Sequence, residues 1–209
     1  MTLIRRLSDS TVLVRSDEQA TLFDPGFHSF TSGVIDLESI GDVTRVMITH
    51  EHRDHVSPDF ISWLRERRAD LVVHANQTVV DILASTGIAA TTDVPADVKV
   101  EDVLHERVAS GATPPNRSFT IEGLFTHPGD SRQPSHSGPV LALPLIVPWD
   151  STTGAVEFAR RLGPRQVIPI HDFYLDRPGR DWVAGMVKAV LAEHGIELVE
   201  LDWGDSYTV

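Results

Sequence analysis

Short apolar runs of strand length open the chain. Residues 11–16 (TVLVRS), 20–26 (ATLFDPG) and 43–50 (VTRVMITH) are rich in β-branched residues and bounded by turn formers, which predicts three early strands. The period then changes. In SPDFISWLRERRAD (57–70) Ser57 fits an N-cap, Pro58 the first helical position, and Phe60, Ile61 and Leu64 share one face, so an amphipathic helix is expected. A strand at LVVHA (71–75) and a helix at 77–87, closed by Gly87, follow. SFTIEG and LFTHPGD (118–130) read as further strands and PVLALPLIVP (139–148) as a buried one. Residues 152–163 read as a helix ending at Gly163, RQVIPIHD (165–172) as a strand, and 181–195 as a helix ending at Gly195. The last of these carries Trp182, Val183, Met186, Val187, Val190 and Leu191, read together as a core stripe. Residues 196–209 supply one or two more strands. Strands dominate the first part and strand–helix alternation the second, which predicts an α/β protein with a sheet-rich core flanked by helices. The longest loops fall at 108–118 and 131–139, both rich in Gly, Pro and Ser.

Composition narrows the function classes. The chain has 209 residues, suited to one domain spanning 1–209, and its 41% hydrophobic and 23% charged residues are those of a globular protein. The first residues lack the apolar core of a signal peptide and no run approaches the roughly 18 apolar residues of a membrane span, so a soluble, cytoplasmic protein is the default expectation. A formal charge of −12 repels polyanions, which argues against nucleic acid and acidic membrane surfaces as partners and leaves a small-molecule substrate. A homo-oligomer stays open. With no cysteine, any metal must be held by nitrogen and oxygen.

One stretch concentrates such donors. THEHRDH (49–55) places His50, His52, Asp54 and His55 directly after an apolar strand and before a helix. At this chain's histidine and aspartate frequencies, H-x-H-x-D-H has a chance expectation of only about two in a thousand. A strand, a short loop and a helix would turn His50 and His52 toward one point and Asp54 and His55 toward a neighbouring one. The competing reading is a solvated polar loop. VTRVMITH and RQVIPIHD both deliver a histidine at the carboxyl end of a strand, the edge where open α/β sheets place ligands.

THEHRDH resembles the signature loop of the metallo-β-lactamase fold superfamily, and three other stretches fit that family in chain order. LFDPG resembles its early aspartate turn, THPGDS its Gly-Asp-Ser/Thr turn, and VIPIHD its late strand ending in a metal-binding histidine. The succession of HPGDS, LPLIVPW and VIPIHD is most similar to compact hydrolases related to L-ascorbate-6-phosphate lactonase. The resemblance implies a four-layer αββα sandwich. It also implies two divalent metals, Zn2+ first and Mn2+ or Fe after it, with His50 and His52 on the first, Asp54, His55 and His171 on the second and Asp130 bridging. The third ligand of the first metal is assigned to His105. Asp54 and Asp130 would carry catalysis, in which a hydroxide shared by the metals cleaves a small ester, lactone or phosphodiester. Asp24 reads equally as a turn residue or as a partner orienting a ligand imidazole, His127, beside Asp130, reads either as a partner supporting the ligands or as a simple turn residue, and Arg132 is the candidate contact for an anionic substrate. Ordinary turn, core or surface roles remain the competing readings for Asp130, His171 and His105. An iron-dependent redox enzyme and a non-catalytic metal-binding module are the alternatives.

Overall fold

The early apolar runs do form strands, and one more precedes them. The computed structural model describes residues 1–17 and 19–209. The chain folds as two compact units, Met1–Val94 with Leu201–Val209, and Pro95–Glu200.

In the first unit β1 (Leu3–Arg6), β2 (Val12–Arg15), β3 (Ala20–Phe23), β4 (Arg45–Ile48), β5 (Val72–Ala75) and β12 (Ser206–Thr208) make a six-stranded sheet of order β12-β1-β2-β3-β4-β5. Pairing is antiparallel from β12 to β3 and parallel from β3 to β5. β1 escapes the sequence reading because LIRR is short and half arginine. Its alternation is nevertheless regular, since Ile4 and Arg6 are buried, and the Arg6 guanidinium donates to the carbonyl of Leu201, far along the chain. α1 (Phe27–Thr31), α2 (Pro58–Arg67) and α3 (Gln77–Ser85) belong to the same unit. α2 is capped as its sequence predicts, with Ser57 Oγ accepting from Phe60 N–H, and Asn76 Oδ1 caps α3 through Val79 N–H. Phe60, Ile61 and Leu64 of α2 and Val79 and Leu83 of α3 pack on Leu22, Val46, Ile48 and Val73 of the sheet.

The second unit has the sheet order β11-β10-β9-β8-β7-β6. β6 (Val98–Leu104), β7 (Pro115–Ile121) and β8 (Phe125–His127) pair antiparallel, and β8, β9 (Val140–Pro144), β10 (Gln166–Ile170) and β11 (Glu197–Leu198) pair parallel. β6 is an edge strand, and its Lys99, Glu101 and Asp102 keep that edge from pairing with another chain. β7 begins at Pro115, so the loop expected over 108–118 is shorter than predicted. α4 (Thr152–Leu162) ends at Gly163, which has φ +63, and α5 runs over Arg177–Ala192 from an Asp176 cap, four residues ahead of its predicted start. Only half of the α5 stripe is core. Val183, Val187 and Leu191 pack against Leu141, Leu143 and α4, whereas Trp182, Met186 and Val190 are exposed. The two rows lie side by side on the helix, and hydrophobicity alone does not choose between them. Two six-stranded mixed sheets with helices make this the α/β fold class expected. Among the described residues no helix is long and apolar enough to cross a membrane.

Candidate metal centre

The first ligand set grows from the carboxyl ends of β3 and β4. These strands are parallel neighbours, with Phe23 in register with Met47, so the residues following them meet. Asp24 turns the chain in the left-handed region, at φ +44, and is fully buried. Its carboxylate accepts from Thr49 N–H (2.8 Å), Thr49 Oγ1–H (2.8 Å) and His55 Nδ1–H (2.7 Å). A carboxylate only accepts, so the single Thr49 hydroxyl proton points at Asp24. The hydroxyl lone pair then receives the proton of His50 Nδ1, 3.0 Å away. Asp24 thus fixes two imidazoles by their Nδ1 atoms, His55 directly and His50 through Thr49, and turns each Nε2 away from itself. Asp24 therefore both turns the chain and hydrogen-bonds a histidine.

The loop that follows is closed on itself and against Asp24-Pro25-Gly26. His55 and Val56 donate to the His52 carbonyl, Phe27 N–H to Arg53, and Ser57 N–H to Pro25. His50 and His55 are buried, while His52 and Asp54 are partly open, the Asp54 side chain being 24% exposed. His50 Nε2 and His52 Nδ1 stand 3.1 Å apart. Two nitrogens at about 2.0 Å from a tetrahedral zinc would be separated by roughly 3.3 Å, so the pair fits one ion. His55 Nε2 lies 3.8 Å from Asp54 Oδ2. Arg53 is exposed, with its guanidinium over the Phe27 ring.

The second set is in the other unit. His105 follows β6, Asp130 sits in the turn after β8, and His171 follows β10 at φ +63. All three are buried. His105 Nδ1 donates to the Glu106 carbonyl (2.5 Å) and His171 Nδ1 to the Ile146 carbonyl (3.1 Å). Each Nε2 faces Asp130 Oδ2, at 3.4 Å and 3.1 Å. With neutral rings, unprotonated nitrogens would meet a carboxylate that also accepts from Trp149 Nε1–H at 2.9 Å. Lone pairs converging in a buried place require a cation or extra protons between them, and two imidazolium ions on one carboxylate would leave net charge buried. Neutral imidazoles and a carboxylate turned toward one another are the donor set of a divalent ion. The backbone of Asp130 is held too, its N–H by Asn116 Oδ1 and its carbonyl by Glu106 N–H.

The ligand-type side chains are thus His50, His52, Asp54 and His55 in the first unit and His105, Asp130 and His171 in the second. His127 is buried and its Nδ1 accepts from Gly129 N–H, outside those groups. Arg132 is engaged internally. Its Nε pairs with Asp150 (3.0 Å), one terminal nitrogen donates to the Pro144 carbonyl, and the guanidinium lies over the Trp149 ring. Burial lowers its pKa from the usual arginine value, against the raising effect of Asp150. Those bonds make it a brace for Trp149 and Asp150. Thr49 and Asn116 were not anticipated, because their roles depend on strand register and carry no spacing signal.

Residues 4–77 match the metallo-beta-lactamase superfamily model. Igni18, a novel metallo hydrolase from the hyperthermophilic archaeon Ignicoccus hospitalis, superposes with a TM-score of 0.72 at 16% identity, over 99% of this chain and 97% of its own. The metallo-beta-lactamase fold protein YhfI from Bacillus subtilis gives 0.66 at 14%, over 99% and 98%. This chain has the metallo-β-lactamase fold. Protein Rv0786c from Mycobacterium tuberculosis is 27% identical over 177 residues, 78% of this chain and 80% of that protein. The stretch matched by the superfamily model, residues 4–77, takes in β2 to β5 and all of the first candidate ligand set, but stops before His105, Asp130 and His171.

Proposed function

We propose that residues 1–209 work as one metallo-hydrolase domain in which the two ligand sets close on a pair of divalent ions. In this reading His50, His52 and His105 hold the first ion, Asp54, His55 and His171 the second, and Asp130 is shared. The observation that carries it is the buried convergence of the His105 and His171 Nε2 atoms on Asp130 Oδ2, both rings having their Nδ1 protons committed to carbonyls. Zinc suits this donor set best, with manganese or iron also accommodated. The likeness to Igni18 and the superfamily match support hydrolysis as the reaction class.

When bound, such a pair supplies Lewis acidity and lowers the pKa of water toward about 7. The protein's own residues do the rest. Asp24 and Thr49 keep the His50 and His55 rings turned, Trp149 Nε1–H holds the Asp130 carboxylate by one oxygen, and Asp54, the most solvent-accessible carboxylate of the set, orients water and takes its proton. No serine or cysteine nucleophile is required. The substrate class we favour is a small ester, lactone or phosphodiester, on the likeness of HPGDS, LPLIVPW and VIPIHD to lactonase-related hydrolases. A screen of lactones, phosphodiesters and thioesters with the metal-loaded protein tests this. Asp54→Ala and Asp130→Ala are each expected to abolish turnover while folding normally, and undiminished activity in both would refute the mechanism.

A further inference from the structure

We propose that the exposed face of α5 is a dimerisation surface, and that its occupant is a second copy of this chain. On the solvent side of this helix Trp182, Met186 and Val190 recur every four residues and are 68%, 43% and 41% exposed. Gly185 and Ala189 lie between them, also exposed, and a Cβ at Gly185 would meet no atom within 4 Å. The strip contains no charge, although the chain is 23% charged residues. A solvated helix face normally carries them. Tyr174, two residues before the Asp176 cap, adds a 76% exposed aromatic at the amino-terminal end.

The size of the strip suits a pair of copies. A fully exposed aromatic side chain offers about 150–250 Å2, so these four residues present roughly 500 Å2. A twofold pairing that covered all four residues completely would remove about 1,000 Å2 in total, to which rim contacts must add to reach the roughly 1,200 Å2 of a specific interface. The sequence order is also self-complementary. Two copies of α5 crossing antiparallel about Met186 bring Trp182 of each against Val190 of the other, large against small, with Gly185 and Ala189 letting the backbones approach. The antiparallel helix dipoles also favour the pairing.

Sedimentation of the full chain across the micromolar range reads the state directly. A dimer is expected, with Trp182→Glu and Met186→Glu each weakening it more than tenfold while leaving the melting temperature in place. Because the chain has no cysteine, Met186→Cys adds a single thiol at the proposed axis, and mild oxidation should cross-link it far faster than Leu104→Cys on the exposed edge of β6. A wild type that stays monomeric, a dimer that survives both glutamate substitutions, or equal cross-linking of the two cysteine variants would overturn the proposal.

Discussion

Replacing Thr49 by valine probes the relay that runs from Asp24 to His50. The change keeps the shape of a fully buried side chain and deletes one hydroxyl. That hydroxyl donates to Asp24 Oδ2 at 2.8 Å and accepts from His50 Nδ1 at 3.0 Å, so two hydrogen bonds go while Thr49 N–H and His55 Nδ1–H remain on the carboxylate. Removing the acceptor of a buried imidazole N–H costs about 1–3 kcal/mol, and the bond to Asp24 adds about 1 kcal/mol. The expected loss of stability is therefore roughly 2–4 kcal/mol. Loss of a group that orients a ligand imidazole typically weakens metal binding 10–100-fold, which is about 1.4–2.7 kcal/mol. Competition with a chromophoric chelator reads the affinity and thermal unfolding reads the stability. Thr49→Ser, which restores the hydroxyl, should recover most of both. If Thr49→Val bound metal as tightly as the wild type, the relay would have no part in holding His50, and the orientation argument for Asp24 would stand for His55 alone.

Gly26 allows a second, purely steric test. Its φ of −81 is open to any residue, but a Cβ there would lie 1.8 Å from the Asp54 carbonyl oxygen. Gly26→Ala is expected to push the loop carrying Asp54 away, lower stability by about 1–3 kcal/mol and reduce metal content; normal content and melting temperature would show that the loop yields freely. Glu101 gives a pH test away from the metal ligands. Burial raises its pKa, but hydrogen bonds from Ser135 and the charge of His136 outweigh this and hold it below the ordinary 4.5. A carboxylate with a depressed folded-state pKa stabilises the fold above its unfolded pKa, and that contribution disappears as pH falls through the folded value. Glu101→Gln should therefore lower the melting temperature at neutral pH, and the gap from wild type should close in acid; a gap independent of pH would contradict the assignment.

Much of the first ligand set was legible because its signal is local. A strand, four ligand-type residues within six positions and a well-capped helix are all short-range features, and the β4-loop-α2 segment follows them closely. Asp24 was visible but undecided, since its partners come from the parallel register of β3 with β4. The same register hid Thr49, which reads in sequence as the last residue of a strand. β1 was missed because a buried arginine resembles a surface one until the carbonyl of Leu201 appears as its partner. The partners of Arg132 were hidden for a related reason. Its proximity to Asp130 in sequence suggested the substrate, whereas Asp150 and the Pro144 carbonyl hold the side chain. On α5 the apolar run was right about the helix and about half of the burial, because 182, 186, 190 and 183, 187, 191 are adjacent stripes and only the packing on β9 and α4 selects the second.

Metal stoichiometry tests the central claim most directly. Protein expressed with zinc, manganese or iron supplied, purified without chelators and assayed by elemental analysis, should carry two divalent ions per chain, with clear losses in Asp130→Ala and His171→Ala variants that keep their fold. Iron as the resident metal would turn the reading toward redox chemistry. A wild-type protein that takes up no metal under any of these conditions, with all seven ligands intact, would contradict the account.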